Sequence, residues 1–341
     1  MLRRVSHVLT IISAGVLLAA CGTTAEEPAA TGTVRLLTHD SFALSDGVIA
    51  DFEATTGLQL EIVKAGDAGT MVAGAVLAAG APTADVLFGI DNTMLAKAVA
   101  ADVFDTYETT GTVDGVATPV DYGDVCVNID DAYFAQRNLA APASLRDLTK
   151  PAYRNLLVVE DPAASSPGLA FLLATRAAFA EGWLDYWKAL KANGVRVAGS
   201  WSDAYYTDFT KGGGNGRYPL VVSYATSPPA EIVFAEEPKP TTVSTSVMTD
   251  GCFRQIEYAG VLRGAKNPAG AKAVIDWLLS PAVQGDIPLS MFVFPAVEGT
   301  ALPDVFVQFA GKVTAPLTLG ADDIAANAPA WLAQWDAVMN A

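Results

Sequence analysis

The stretch "VRLLTHDSFALSDGVIADFEATTGLQLEIVKAG" (Val34 to Gly66) decides the fold class. Its opening, "VRLLTHD", is an apolar run that reads as a strand. "DGVIADFEATTG" (46–57) has apolar residues at helical spacing and ends on Gly57, placed where a helix needs a left-handed residue to stop. "LQLEIVKAG" (58–66) is a second strand. The alternation continues through a helix in "GTMVAGAVLAAG" (69–80), a strand in "ADVLFGID" (84–91) and a helix in "NTMLAKAVAADV" (92–103). Strand and helix in turn imply an α/β protein whose parallel sheet is covered on both faces. Ligands of such open sheets sit at the carboxyl ends of the strands. His39 and Asp40 lie there, at the end of the first strand.

A second set of elements begins after "TPVDYGDVCVNID" (118–130). "PASLRDL" (142–148) offers Ser144 as an N-cap with Asp147 three residues on, and "RNLLVVEDP" (154–162) reads as a buried strand. "SSPGLAFLLATRAAFAEG" (165–182) is a helix with a serine N-cap and Pro167 at its first position. "GVRVAGS", "SDAYYTDFTKG" and "YPLVVSYATSP" add a strand, a helix and a strand between residues 194 and 228. A long strand in "GCFRQIEYAGVLRGA" (251–265) precedes a helix opened by Asn267 and Pro268. The last helix carries Trp331 and Trp335 four residues apart, a core-packing pattern shared by Trp183 and Trp187. About 310 residues follow the leader, more than one hydrophobic core commonly serves, so two domains are expected.

The leader is an address. Arg3 and Arg4 precede the apolar run "VLTIISAGVLLAA", which is too short to span a bilayer. The run ends in "LAAC" (Leu18 to Cys21), which resembles the bacterial lipobox, so residues 1–20 are expected to be a lipoprotein signal and Cys21 the lipid-bearing first residue of the exported chain. Residues 21–32 then form an anchor and flexible tether. Removing the leader takes two arginines and lowers the formal charge from −16 to −18, which excludes nucleic acid as a partner and suits a cationic ligand or simple solubility. Cys126 and Cys252 remain, an even count outside the membrane, and a disulfide between them is expected.

One histidine and two cysteines leave the usual zinc sites short of ligands. A hydrolytic relay of His39, Asp40 and Ser41 fails on strand geometry, because successive residues point to opposite faces. No G-x-S-x-G elbow, P-loop or G-x-G-x-x-G run is present. "KGGGNG" (211–216) reads as a turn, without the following helix that phosphate cradling requires. Binding is better served. "THDS", "AGDAG", "FGIDN", "VDYGD", "EDPAASSPG", "GSWSDAYY" and "VSYATSP" all fall where strands end or helices begin. Ser165 and Ser166 either cap their helix or hold an oxygen-rich or anionic group. Trp201, Tyr205 and Tyr224 offer flat faces to an aromatic or cationic ring.

At these clusters the chain resembles the thiamine-binding substrate-binding proteins of ABC importers. "THDSF" (38–42), "GIDN" (89–92), "DYG" (121–123), "DPAASSPGL" (161–169), "SWSDAY" (200–205), "VSYATSP" (222–228) and "SPAVQGDIP" (280–288) match family segments in order. The resemblance implies a two-lobed periplasmic-binding-protein fold of type II with its ligand cleft between the lobes. Residues 33–120 with 226–286 would form lobe 1, and 121–225 with 287–341 lobe 2. It also implies that the chain is a monomeric carrier rather than an enzyme. Thiamine or a thiamine phosphate would be its ligand, with no cofactor, and an ABC permease and ATPase its partners at the outer face of the cell membrane. Carried over position by position, the pocket would contain His39, Asp67, Ser165, Ser166, Trp201, Tyr205 and Tyr224. Trp201 and Tyr224 would stack on the ligand, Asp67 would make the charged contact, and the serines would face the hydroxyethyl or phosphate end.

The sequence departs from the family at three points. His39 replaces a tyrosine, "ALSDG" (43–47) lacks a tryptophan, and Phe292 stands where the family has tryptophan. The alternative ligand is ferric ion, which favours tyrosinate, carboxylate and imidazole and would draw on His39, Asp67 and the Tyr205–Tyr206 pair. An exported hydrolase built on His39 and a purely structural lipoprotein are the remaining readings.

Overall fold

The computed structural model describes residues 31–213 and 215–340. The segment expected to be a leader, Cys21 and most of the segment expected to be a tether lie outside the described residues. In chain order the elements are β1 (Gly32–Thr38), α1 (Asp46–Thr56), β2 (Leu58–Lys64), α2 (Ala68–Leu77), β3 (Val86–Asp91), α3 (Leu95–Ala100) and β4 (Thr118–Asp130). Then come α4 (Asp131–Gln136), β5 (Leu157–Glu160), α5 (Ser166–Phe179), α6 (Trp183–Ala192), β6 (Arg196–Ala198), β7 (Leu220–Tyr224) and α7 (Ala230–Val233). The chain closes with β8 (Thr245–Val261), α8 (Pro268–Leu278), α9 (Pro281–Ser290), β9 (Phe294–Pro295), α10 (Asp304–Phe309) and α11 (Ala321–Met339).

The local signals account for most of these boundaries. Gly57 ends α1 at φ 72°, with its N–H on the Glu53 carbonyl, and the Asn267 side chain caps α8 at Gly270 N–H, with Pro268 as first residue. β1 starts inside the stretch read as tether, because Gly32 and Thr33 pair with Leu58 and Gln59 of β2. Before α5 the sequence reading needs correction. Ser165 occupies the cap position, Pro167 is the second helical residue, and neither serine side chain caps.

The sheet runs β2-β1-β3-β8-β4-β7-β5-β6, with β9 paired to β4. Two parallel groups, β2-β1-β3 and β7-β5-β6, flank the long antiparallel pair β4 and β8. The two long strands therefore belong to both halves of the molecule, which gives the two-lobed type II architecture. Their ladder breaks between Val125 and Val127, and there Cys126 and Cys252 are joined by a disulfide with their Cα atoms 4.4 Å apart.

One core cluster runs through both halves, from Leu37, Met71 and Leu87 to Leu157, Phe171 and Trp187, and a second belongs to the β1–β3 side. Val34, Leu36, Phe52, Val86 and Phe88 pack with Val274 and Ile275 of α8. The same cluster takes in Val283, Ile287 and Val293, which places α9 and the following turn on the β1–β3 side. On the other side α5 is buried from Ser166 to Thr175, as expected of a helix apolar all round. Trp187 meets Phe171 and Trp335 edge-on and donates its Nε1–H to Thr175 Oγ1 at 2.9 Å, so both tryptophan pairs serve the core.

Candidate ligand-binding site

A cavity of about 360 Å³ lies between the two parallel groups of strands, within the size range of small-molecule sites. The turn after β1 supplies His39 and Ser41, the start of α2 supplies Asp67, and the start of α5 supplies Ser166. Trp201 and Tyr205 come from the segment after β6, Tyr224 from the end of β7, Glu257 from β8, and Met291 to Val293 from the turn after α9.

One wall is aromatic. Residues Asp203–Asp208 form a turn of π-helix, whose extra residue per turn sets Phe209 N–H on the Ala204 carbonyl and sends Tyr205 inward while Tyr206 stays half exposed. Trp201 stacks on Tyr205 with centroids 5.0 Å apart, and its Nε1–H is fixed by Ser223 Oγ at 3.0 Å. Tyr224 meets Trp201 edge-on at 6.4 Å. The Tyr224 ring fits because residue 123 is glycine, where a Cβ would stand 2.7 Å from Tyr224 Cδ1. At the mouth Phe292 adopts φ 55°, a strained value for a side chain with a Cβ. Its carbonyl accepts the Thr226 hydroxyl and its ring packs on Phe234 at 5.5 Å.

The floor, Glu257 with the groups buried behind it, is acidic and polar. Tyr224 donates its hydroxyl to Gln255 Oε1, and Gln255 Nε2 donates to Asp91 Oδ2 at 2.6 Å. Burial pushes Asp91 up to about 7. Asp121 faces Glu257 across the β4–β8 ladder and is fully buried. Burial, then the charge of Glu257, holds its carboxyl well above the usual range. His39 Nε2 stands 3.6 Å from Glu257 Oε1 and His39 Nδ1 is 2.8 Å from Ser41 Oγ. Burial opposes the imidazolium, but Glu257, with Asp67 and Asp40 behind it, prevails and holds His39 above its ordinary value. The ring lies against Gly89, where a Cβ would meet His39 Cδ2 at 2.3 Å.

A profile of the bacterial extracellular solute-binding protein family matches residues 82–325, more than half of the chain. The chain belongs to this family. Among curated relatives, the thiamine-binding periplasmic protein of Salmonella typhimurium is 29% identical over 312 residues, covering 89% of this chain and 92% of its own. Its namesake from Escherichia coli is 28% identical over the same shares. A solved periplasmic thiamin-binding protein superposes with a TM-score of 0.78 at 26% identity, covering 90% of this chain and 96% of its own. The apo ferric-ion-binding protein A of Pasteurella haemolytica shares the fold at a TM-score of 0.69 and 18% identity.

In this solute-binding protein His39, Asp67, Ser166, Trp201, Tyr205, Tyr224 and Phe292 all line the cavity. Ser165 does not. It is buried behind the wall, so of the two serines only Ser166 reaches the cavity. Asp67 reaches the cavity with its oxygens engaged, Oδ1 by Ala68 N–H at 2.6 Å and Oδ2 by Trp201 N–H at 2.8 Å. Strand geometry also misjudged His39 and Ser41, which do touch, because β1 ends at Thr38 and the chain turns there.

Glu257 is the principal residue missed, although a glutamate in the buried run "CFRQIEYAGV" was a legible signal. Lys211 to Gly213, read only as a turn, also reach the cavity wall.

Proposed function

We propose that this solute-binding protein captures thiamine or a thiamine phosphate outside the cytoplasm and hands it to an ABC permease and its ATPase. The observation that carries the reading is the pairing of an aromatic wall, Trp201 with Tyr205 and Tyr224, with the carboxyl group of Glu257 in the lining and that of Asp121 buried directly behind it. Aromatic faces and an acidic surround suit a thiazolium cation, and hydrogen-bonding carboxyl groups suit an aminopyrimidine. The thiamine-binding names of the most similar curated relatives support the same ligand.

On this reading the β1–β3 side and the β7–β5–β6 side are the two jaws of a clamp, joined by β4 and β8 and parting near residues 120 and 226 and along the turn after α9. Cys21 carries a lipid, and the tether holds a monomeric carrier at the outer face of the membrane, with no cofactor and no reaction of its own. Ferric ion has weaker support. Tyr205 is packed between Trp201 and Phe209, and Tyr206 meets it edge-on at 5.5 Å, so the pair serves the aromatic wall.

Calorimetric titration with thiamine, thiamine monophosphate and thiamine pyrophosphate, repeated on Trp201→Ala, tests the reading. One-to-one binding of at least one of the three, lost in Trp201→Ala, is expected. No heat with any of them, or unchanged binding by the variant, would reject it.

A further inference from the structure

Three carboxylates line the cavity, and two are already committed. Asp67 accepts from Ala68 and Trp201 N–H, and Glu231 accepts from Ser244 N–H and from the hydroxyls of Ser244 and Thr245. Glu257 is different, being engaged only by other titratable groups. His39 Nε2 lies 3.6 Å away, beyond hydrogen-bonding distance, and Asp121 is its partner across the ladder. His39 Nε2 is sealed from solvent with no closer partner, and the fully buried Asp121 carboxyl meets Glu257 side chain to side chain. Of the three lining carboxylates Glu257 is therefore the one that no backbone N–H or hydroxyl of the described residues holds, which leaves it to take a charged partner from the cavity.

We propose that Glu257 is the carboxylate that receives the ligand's positive charge, and that His39 is its resident counter-ion, which gives up its proton when the ligand's cation arrives. The assignment rests on the thiamine reading above and replaces Asp67 in the role expected from the sequence. Without ligand, the imidazolium balances Glu257. It is faced by Glu257 from β8, by Asp67 ahead of α2 and by its neighbour Asp40, whose carbonyl holds the Lys64 ammonium. Asp121 from β4 and Asp91 from β3 lie near Glu257 and add to the acidic field. A second cation beside the same carboxylate repels the first at close range, and the imidazolium proton is the part that can leave. It passes to solvent. The neutral ring keeps its other proton, and the Ser41 hydroxyl, able to donate or accept, holds Nδ1 in either state. Binding is then coupled to release of up to one proton, and affinity falls by as much as about tenfold per pH unit as pH drops below the titration point of His39.

The experiment has two arms. In the first, the purified chain without ligand is titrated by NMR, where His39 is the sole histidine beyond the leader. The ring should titrate above the usual histidine range, and Glu257→Gln should lower that point. In the second, thiamine is titrated calorimetrically near neutral pH in phosphate and in Tris, whose ionisation heats differ. The parent should release protons, His39→Gln should bind without releasing them, and Glu257→Gln should bind about ten- to a hundredfold more weakly. Thiamine binding with the same heat in both buffers, or with full affinity in Glu257→Gln, would overturn the assignment. Should neither thiamine nor either of its phosphates bind to any of the chains, the thiamine reading fails. The first arm then still judges the pair, because a His39 titration unmoved by Glu257→Gln overturns it and a lowered one supports it.

Discussion

Asp67→Ala tests whether the two sides of the cavity are held together as described. The Asp67 carboxylate caps α2 through Ala68 N–H and crosses the cavity to Trp201 N–H, while Thr70 N–H reaches the Ala164 carbonyl beside it at 3.2 Å. Loss of the cap costs about 1 kcal/mol. Leaving the Trp201 N–H without its charged acceptor costs about 1–3 kcal/mol. Burial of the carboxylate opposes both, since it holds Asp67 above the usual range, so the net loss should be about 2–3 kcal/mol. Urea unfolding followed by circular dichroism reads this directly, and the slope with denaturant should not change, because the surface exposed on unfolding is the same. Hydrogen exchange separates the contributions. The Trp201 amide should lose its protection in the variant, while the interior of α2 keeps it. A variant within about 0.5 kcal/mol of the parent, with Trp201 still protected, would show that this carboxylate does not hold the cavity closed.

Three further outcomes follow from the site. Gly123→Ala puts a methyl group 2.7 Å from the Tyr224 ring, so the ring must move; thiamine binding should weaken by about tenfold or more with a stability loss of about 1–3 kcal/mol, and calorimetry with unchanged affinity would contradict it. Asp91, Asp121, Glu160 and His39 all titrate higher in the folded chain than their ordinary values, so the folded state binds more protons than the unfolded one between about pH 4 and 8. Stability without ligand should therefore decrease as pH rises through that range, and a melting temperature higher at pH 8 than at pH 5 would refute this. Replacing Cys126 and Cys252 together by alanine opens a bridge between residues 126 apart in sequence and should lower stability by about 2–5 kcal/mol in urea unfolding, whereas an unchanged midpoint would mean that the bridge contributes nothing.

The α/β class was legible because its signals are local. Apolar periodicity placed β1, α1, β2 and α2 close to their observed bounds, and Gly57 and Asn267 marked helix ends through backbone and side-chain preferences that need no tertiary partner. The aromatic wall was legible too, since Trp201 lies in a short polar segment outside the apolar helices and Tyr224 ends a buried strand. Ser165 and Ser166 show the limit of such reading. Adjacent residues at a helix start point in different directions, and only the packing of α5 decides that Ser166 enters the cavity and Ser165 is sealed behind it.

By itself, then, the sequence determined the alternation of strands and helices, the acidic balance, the aromatic residues of the wall and the family they match. Tertiary structure alone decided the chemistry of the floor. Asp121 and Glu257 come from opposite halves of the chain and oppose one another only through the register of β4 against β8. His39 joins them because β1 and β8 both flank β3, whereas the oxygens of Asp67 are taken by Ala68 and Trp201 N–H. Periodicity records which face of an element is buried, but which charges meet across a sheet is set by strand order and register, and these long-range pairings leave no local trace.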